Sequence, residues 1–281
     1  LLEPRFDAAR FANARDDLLA GMKQRNDDTP GIEGREWNRL LYGEDYWINR
    51  LPTKASVESI QRSDLVAFHS RLLHPEDIVV AVAGDFKTAE ILSRLNATIG
   101  TIQNRGEKMP EIPQPTHQPV AGVYYVNKPD VNQGRVSIGH VGLKRPVENE
   151  FDLIVADDVL GGSGFTARMM KQIRSDEGLA YGAYSSYEIN NSYPGTFRAA
   201  FQSKSATCAR AAQLTLEIIE SIRSEGVTDE ELSTSKSSFI QTFPNRFQSA
   251  IQTAGLYASD ELLGLSHDYW LNYRENLEAV T

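Results

Sequence analysis

The 281-residue chain has a single cysteine, Cys208, so no internal disulfide can form and no cysteine-built zinc cage is available. Long apolar runs are equally scarce. Ile78–Ala83, among the longest, falls far short of the roughly 20 residues a membrane-spanning helix needs. Basic residues are the minority, 29 Lys plus Arg against 38 Asp plus Glu for a formal charge of -9. No Lys/Arg-rich tract offsets that balance, which argues against nucleic acid as a partner. A leader is missing from the start as well. Leu1–Arg10 has neither a basic opening nor an apolar targeting core, and the expectation is that the chain begins inside a longer protein.

Nucleophile and phosphate motifs are lacking too. There is no Gly-x-Ser-x-Gly elbow and no dinucleotide fingerprint, and Gly161-Gly162-Ser163-Gly164 lacks the Lys-Ser/Thr that would make it a phosphate loop. The histidines are His69, His74, His117, His140 and His267. None pairs with another at zincin spacing: His69 and His74 are five apart, which turns one away from the other by about 140° on a helix. They read as surface or capping residues.

What the chain does have is an alternation of helical and strand patterns. Helical periodicity covers Phe6–Arg25 and stops at Asn26–Gly31, a second helix is expected over Glu36–Leu41, and Ser56 or Ser59 caps an amphipathic stretch through Phe68. Ile78–Ala83 reads as a buried strand and Thr88–Asn96 as a helix. Pro110, Pro113, Pro115 and Pro119 make residues 109–119 extended. Strands are expected at Gly122–Val126 and Arg135–Val141, a helix at Glu150–Leu160, and another at Thr166–Ser175. Tyr181–Tyr187 and Gly195–Gln202 read as paired antiparallel strands. Long helices follow at Thr207–Ser224 and Thr228–Phe243, the second opened by a Thr228/Glu231 capping box. Pro244 would then interrupt the pattern.

Asp45-Tyr46-Trp47-Ile48-Asn49 returns as Asp268-Tyr269-Trp270-Leu271-Asn272. That echo leads us to expect an α+β fold of two homologous mixed-sheet and helix domains, the first lacking its N-terminal half and the second its C-terminal end. The expected division is 1–107, a proline-rich linker at 108–119, and 120–281.

The stretch from Gly161 to Tyr187, with its Arg-Ser-Asp-Glu-Gly-Leu-Ala-Tyr core, resembles the carboxy-terminal domain of the insulinase/pitrilysin family of zinc metallopeptidases. Mitochondrial processing peptidases and two-subunit bacterial enzymes belong to that family. Asp27-Asp28-Thr29-Pro30, Tyr42-Gly43, Ser56–Phe68 and Val80–Asp85 resemble the later part of its amino-terminal domain. The resemblance implies two α/β domains closing around an extended peptide. The first domain holds zinc through an inverted His-x-x-Glu-His helix and a later Glu, and the second supplies an Arg and a Tyr. Arg174 and Tyr181 stand at the family's spacing. The resemblance makes Arg174 a grip on a substrate carbonyl and Tyr181 a donor to the tetrahedral oxyanion. Without it, Arg174 reads as a solvated helix-end charge and Tyr181 as a half-buried strand residue.

The metal half departs from the pattern. The later Glu position falls on Gly21, and neither Ala14 nor Ala20 can replace it; no zinc is therefore expected on this chain. The resemblance implies a non-zinc subunit, inactive alone, that completes a zinc endopeptidase with a zinc-bearing homologous partner and an extended peptide substrate. Bacterial secreted members favour a periplasmic or otherwise extracytoplasmic location. Two alternatives stay open: a non-enzymatic binding or assembly subunit of the same fold, and a fragment of a single-chain zinc peptidase. Edge pairing of Tyr181–Tyr187 or Gly195–Phe201 with substrate is expected.

Overall fold

The computed structural model describes residues 3–72, 74–103, 110–266 and 268–281. Of the sequence expectations, those for Leu1, His267 and the 107/108 boundary lie outside these residues. The chain separates into two compact units that interleave in sequence. One comprises Leu1–Arg25, Leu51–Glu111 and Phe243–Leu271; the other comprises Asn26–Arg50, Ile112–Thr242 and Asn272–Thr281.

The first unit is helical. Helices α1 (Ala8–Lys23), α3 (Lys54–Ser59), α4 (Arg62–Leu72), α5 (Thr88–Thr98) and α9 (Ala250–Leu263) belong to it. Polar caps set their starts: Asp7 accepts from the Arg10 amide, and Thr53 and Ser56 form a reciprocal capping box. Thr53, rather than Ser56 or Ser59, is thus the cap. Arg62 donates to the carbonyls of Phe6 and Arg5, tying α4 to the chain's start. The expected strand at Ile78–Ala83 does not form. Its backbone is extended, but among the described residues no strand pairs with it, and Val79, Val80 and Val82 stay 38–43% exposed. A β-branched run favours the extended conformation, yet a strand needs a neighbour's hydrogen bonds. Past Pro244 the chain makes a short 3-10 turn, Phe243–Phe247, before α9, and Arg246 lies over the Trp270 ring.

The second unit holds the sheet. Strands β1 (Gln133–Val141), β3 (Ala180–Tyr187) and β5 (Thr196–Lys204) form an antiparallel sheet in the order β1-β5-β3, while β2 (Leu143–Lys144) and β4 (Ile189–Asn190) make a small parallel pair. Side-chain alternation gives the large sheet two dissimilar faces. On one face Val136, Ala183, Ala199 and Phe201 pack with Leu160, Met169, Ile173 and, from α7 (Cys208–Glu225), Ala211, Leu214 and Ile218. Met169, Ile173, Ala199 and Ala211 are wholly buried; burial of a side chain the size of Ile173 contributes about 2–3 kcal/mol. On the other face lies α2 (Thr29–Tyr42), whose Glu33 accepts from Arg135 and Ser137 and pairs with Arg198 at 2.9 Å. Burial opposes ionisation of Glu33, but the hydrogen bonds of Ser137 and Arg135 and the two guanidinium charges outweigh it and hold its carboxyl below the ordinary range.

Helix α2 begins seven residues before the expected Glu36. Asp28 caps it by accepting from the Gly31 amide, and Pro30 occupies its first turn. Asp-Thr-Pro-Gly resembles a stop signal but here opens a helix, because proline is tolerated where the amide has no intrahelical partner. Tyr42 donates to the carbonyls of Pro194 and Gly195, and burial, with help from Tyr193, Glu188 and Tyr46, pushes its phenol well up. The proline-rich stretch is extended where described. It is also anchored, since Tyr46 donates to the Pro113 carbonyl and Gln114 to that of Ser192. Gly122–Val126 is not a strand; Val123 is fully exposed and Tyr125 is 83% exposed.

Helices α8 (Asp229–Thr242) and α10 (Tyr269–Ala279) complete the architecture, the latter burying Tyr273 and Leu277. The two Asp-Tyr-Trp segments differ locally: Trp47–Asn49 is a 3-10 turn, whereas Tyr269–Asn272 opens α10.

Candidate functional site

Two consecutive irregularities in the helical layer shape the corner of the second unit where Arg174 and Tyr181 lie. Helix α6 (Glu150–Asp157) runs on into a π-helical turn at Asp158–Gly162, and a second π-helical stretch spans Met170–Asp176. Their wider loops are closed by bonds across five residues, Ser163 N–H to the Asp158 carbonyl at 3.0 Å and Glu177 N–H to that of Gln172 at 3.1 Å. Such bulges are rare and gather at functional sites. Gly161 lies against the backbone amide of Ser185 on β3, an approach that no side chain could share. Asp157, just before the turn, is held above the usual carboxylate range by burial, with the Ser185 hydroxyl and the Tyr187 amide partly offsetting it.

Between the two π-helical segments, Gly164 adopts φ +66° and starts a 3-10 turn through Thr166. The turn is braced by the Thr166 hydroxyl donating to Ser163 Oγ at 2.9 Å and by the wholly buried Ala167 that follows. Phe165, at its tip, is left 72% exposed. Arg168 then anchors the next segment. Its guanidinium makes a two-pronged pair with Glu231, both contacts 2.6 Å, and reaches Ser221 Oγ and the Gly226 carbonyl. This hydrogen-bonded pairing, reinforced by the Thr228 amide and hydroxyl, draws the Glu231 carboxyl down to about 2. The expected Thr228/Glu231 capping box forms as part of the same cluster.

Arg174 lies one residue after the buried Ile173 in the second π-helical stretch, and is itself half-buried. Its Cζ is 5.3 Å from the centre of the Tyr181 ring and 4.7 Å from that of Phe165. The two sequence-predicted residues therefore meet, and a third residue joins them. The intervening turn is fixed by the Leu179 amide donating to the Ile173 carbonyl at 2.8 Å and by the Ser203 hydroxyl donating to the Leu179 carbonyl. Tyr181 falls in a β-bulge, because the register jumps between the Ala180/Ser203 and Ala183/Phe201 pairs. A bulge re-aims side chains out of strict alternation. Tyr181 is accordingly 90% exposed, rather than half-buried as ordinary strand alternation predicted.

β3 is an edge strand, and among the described residues nothing pairs along its outer side. β5, by contrast, is the central strand, so the expected edge pairing through Gly195–Phe201 is ruled out: both sides of that segment are already occupied by β1 and β3. Chemically, the corner offers a planar cation with in-plane donors, a phenolic hydroxyl, and an open row of backbone groups.

The other sequence candidates are dispersed. Gly21, with Ala14 and Ala20, lies on α1. His74 is buried, not superficial, while His117 packs on Gly43 and contacts the Leu40 carbonyl. Among the described residues no group of three or more His, Cys, Asp or Glu could hold a metal ion, and no helix is long and apolar enough to cross a membrane. Sequence reasoning missed Phe165. Its signal was an aromatic placed directly after a glycine cluster, where a turn tip would expose it.

Residues 59–239 match the family described as the peptidase M16 inactive domain. Curated relatives include an uncharacterized zinc protease of Mycobacterium leprae, 29% identical over 80% of this chain and 50% of that protein. Another is a non-peptidase homolog of Helicobacter pylori, 24% identical over 88% of this chain and 56% of the relative. The chain thus spans about half the length of the curated relatives it matches. Among solved structures, a peptidase M16 inactive domain from Pseudomonas fluorescens superposes with a TM-score of 0.86 at 21% identity, covering 99% of this chain and 66% of that one.

Proposed function

The chain belongs to the peptidase M16 inactive-domain family, and from that premise we propose that it is the non-zinc half of an M16 metalloendopeptidase, lending Arg174 and Tyr181 to a site whose zinc is carried by a partner chain. The observation that supports this reading is the contact of the Arg174 guanidinium with the exposed Tyr181 ring beside the open edge of β3. An extended peptide adding to β3 would gain main-chain hydrogen bonds independent of its sequence. Arg174 would then donate to a peptide carbonyl, and the Tyr181 hydroxyl to the carbonyl oxygen that gains charge as the tetrahedral intermediate forms. A donor aimed at that oxygen supplies about 3 kcal/mol of barrier reduction.

A binding or assembly role without catalysis is the second reading, favoured by the Helicobacter pylori relative's name, non-peptidase homolog. Peptide binding tests both. The chain should bind a fluorescein-labelled unstructured peptide, and Arg174→Gln should weaken that binding by about tenfold, the loss of a hydrogen bond to a charged group. Affinity unchanged by Arg174→Gln would remove this residue from the site and favour the assembly role.

A further inference from the structure

Arg174 is restrained in an unusual way. Among the described residues no carboxylate pairs with it, and Glu177, the acid on the following turn, is taken by Arg210 at 3.1 Å. The groups that flank its guanidinium are aromatic: the Tyr181 ring and the ring of Phe165, the nearer of the two. An acidic partner would consume the in-plane N–H donors, whereas a ring face attracts the cation and leaves those donors free. Phe165 is 72% exposed, so the hydrophobic effect does not explain its position. It is held there by a built turn, with Gly164 at positive φ before it, the Thr166–Ser163 hydrogen bond behind it, and Ala167 wholly buried beyond.

We infer that Phe165 is a positioning residue for the peptide-binding function: its ring fixes the Arg174 guanidinium next to Tyr181 with its hydrogen-bond donors turned to a peptide carbonyl. This rests on the proposed role of Arg174. Phe165 touches the cation and acts through it, so its substitution should alter where Arg174 dwells and how well peptide binds while leaving the fold intact.

Side-chain NMR and peptide binding on the full chain test the inference together. With 13C,15N-arginine labelling, the Arg174 side-chain protons should resonate upfield from the ring current, and Phe165→Leu should move them back and increase their mobility. Phe165→Tyr, which keeps the ring, should preserve both. In the labelled-peptide titration, Phe165→Leu should weaken binding by about three- to tenfold and Phe165→Tyr by less than about twofold, the range expected for loss of one cation–π contact. Unchanged Arg174 signals in Phe165→Leu overturn the inference. Full affinity in Phe165→Leu alongside reduced affinity in Arg174→Gln overturns the positioning role and leaves the function standing. No peptide binding, or full affinity in Arg174→Gln, overturns both.

Discussion

Replacing Glu231 by Gln removes one charge while keeping a carbonyl acceptor of the same reach, which isolates the ionic part of the clamp that holds Arg168. In the native chain Arg168 and Glu231 are 14% and 26% exposed and meet through two 2.6 Å contacts. A carboxyl drawn from its ordinary 4.5 to about 2 corresponds to at most about 3 kcal/mol of stability at neutral pH, and partial solvent screening at the pair's edge reduces this to about 2 kcal/mol. Because the folded-state pKa is depressed, that stability is complete above the unfolded value and declines as pH falls from there through about 2. Urea unfolding should therefore show Glu231→Gln destabilised by about 2 kcal/mol at pH 7, with more than half of the difference gone by about pH 3. A double-mutant cycle with Arg168→Met should assign at least about 1 kcal/mol of this to the pair. A pH-independent difference, or a coupling of zero, would refute the ionic clamp.

Gly161→Ala should destabilise the chain by at least about 2 kcal/mol, since the new methyl meets the backbone of Tyr184 and Ser185 rather than a movable side chain; thermal unfolding of the variant checks this. Asp158 is held above its ordinary 3.8 by burial, so the folded state disfavours its charged form. Asp158→Asn should raise stability by about 0.5–1 kcal/mol at pH 7, with the gain vanishing below about pH 4 as the native acid protonates. A denaturant series at both pH values reads the sign directly, and a loss at pH 7 would contradict it.

Much of the second unit could be read from sequence because its signals are local. Alternation in Tyr181–Tyr187 and Gly195–Gln202 marked the β3/β5 pair, and Thr228 with Glu231 marked the start of α8. The Arg174–Tyr181 contact, by contrast, was reached through family resemblance, not from periodicity. Strand recognition failed where partners are needed. Ile78–Ala83 and Gly122–Val126 have β-prone compositions, but among the described residues no neighbour supplies their hydrogen bonds. The details that shape the site were also hidden. A π-helical stretch such as Met170–Asp176 needs one extra residue per turn and leaves no periodic mark, and the bulge at Tyr181 depends on its register with β5. Both displace the side chains that regular geometry would have placed elsewhere.

Reconstitution with a zinc-bearing M16 chain probes the division of labour most directly, with zinc content and cleavage of an unstructured peptide measured for each chain and for the pair. The account predicts no stoichiometric zinc and no cleavage with this chain alone, cleavage by the pair, and a loss of at least about tenfold in kcat when Tyr181→Phe replaces the native chain. Stoichiometric zinc with cleavage by this chain alone, or a pair indifferent to Tyr181→Phe, would contradict it.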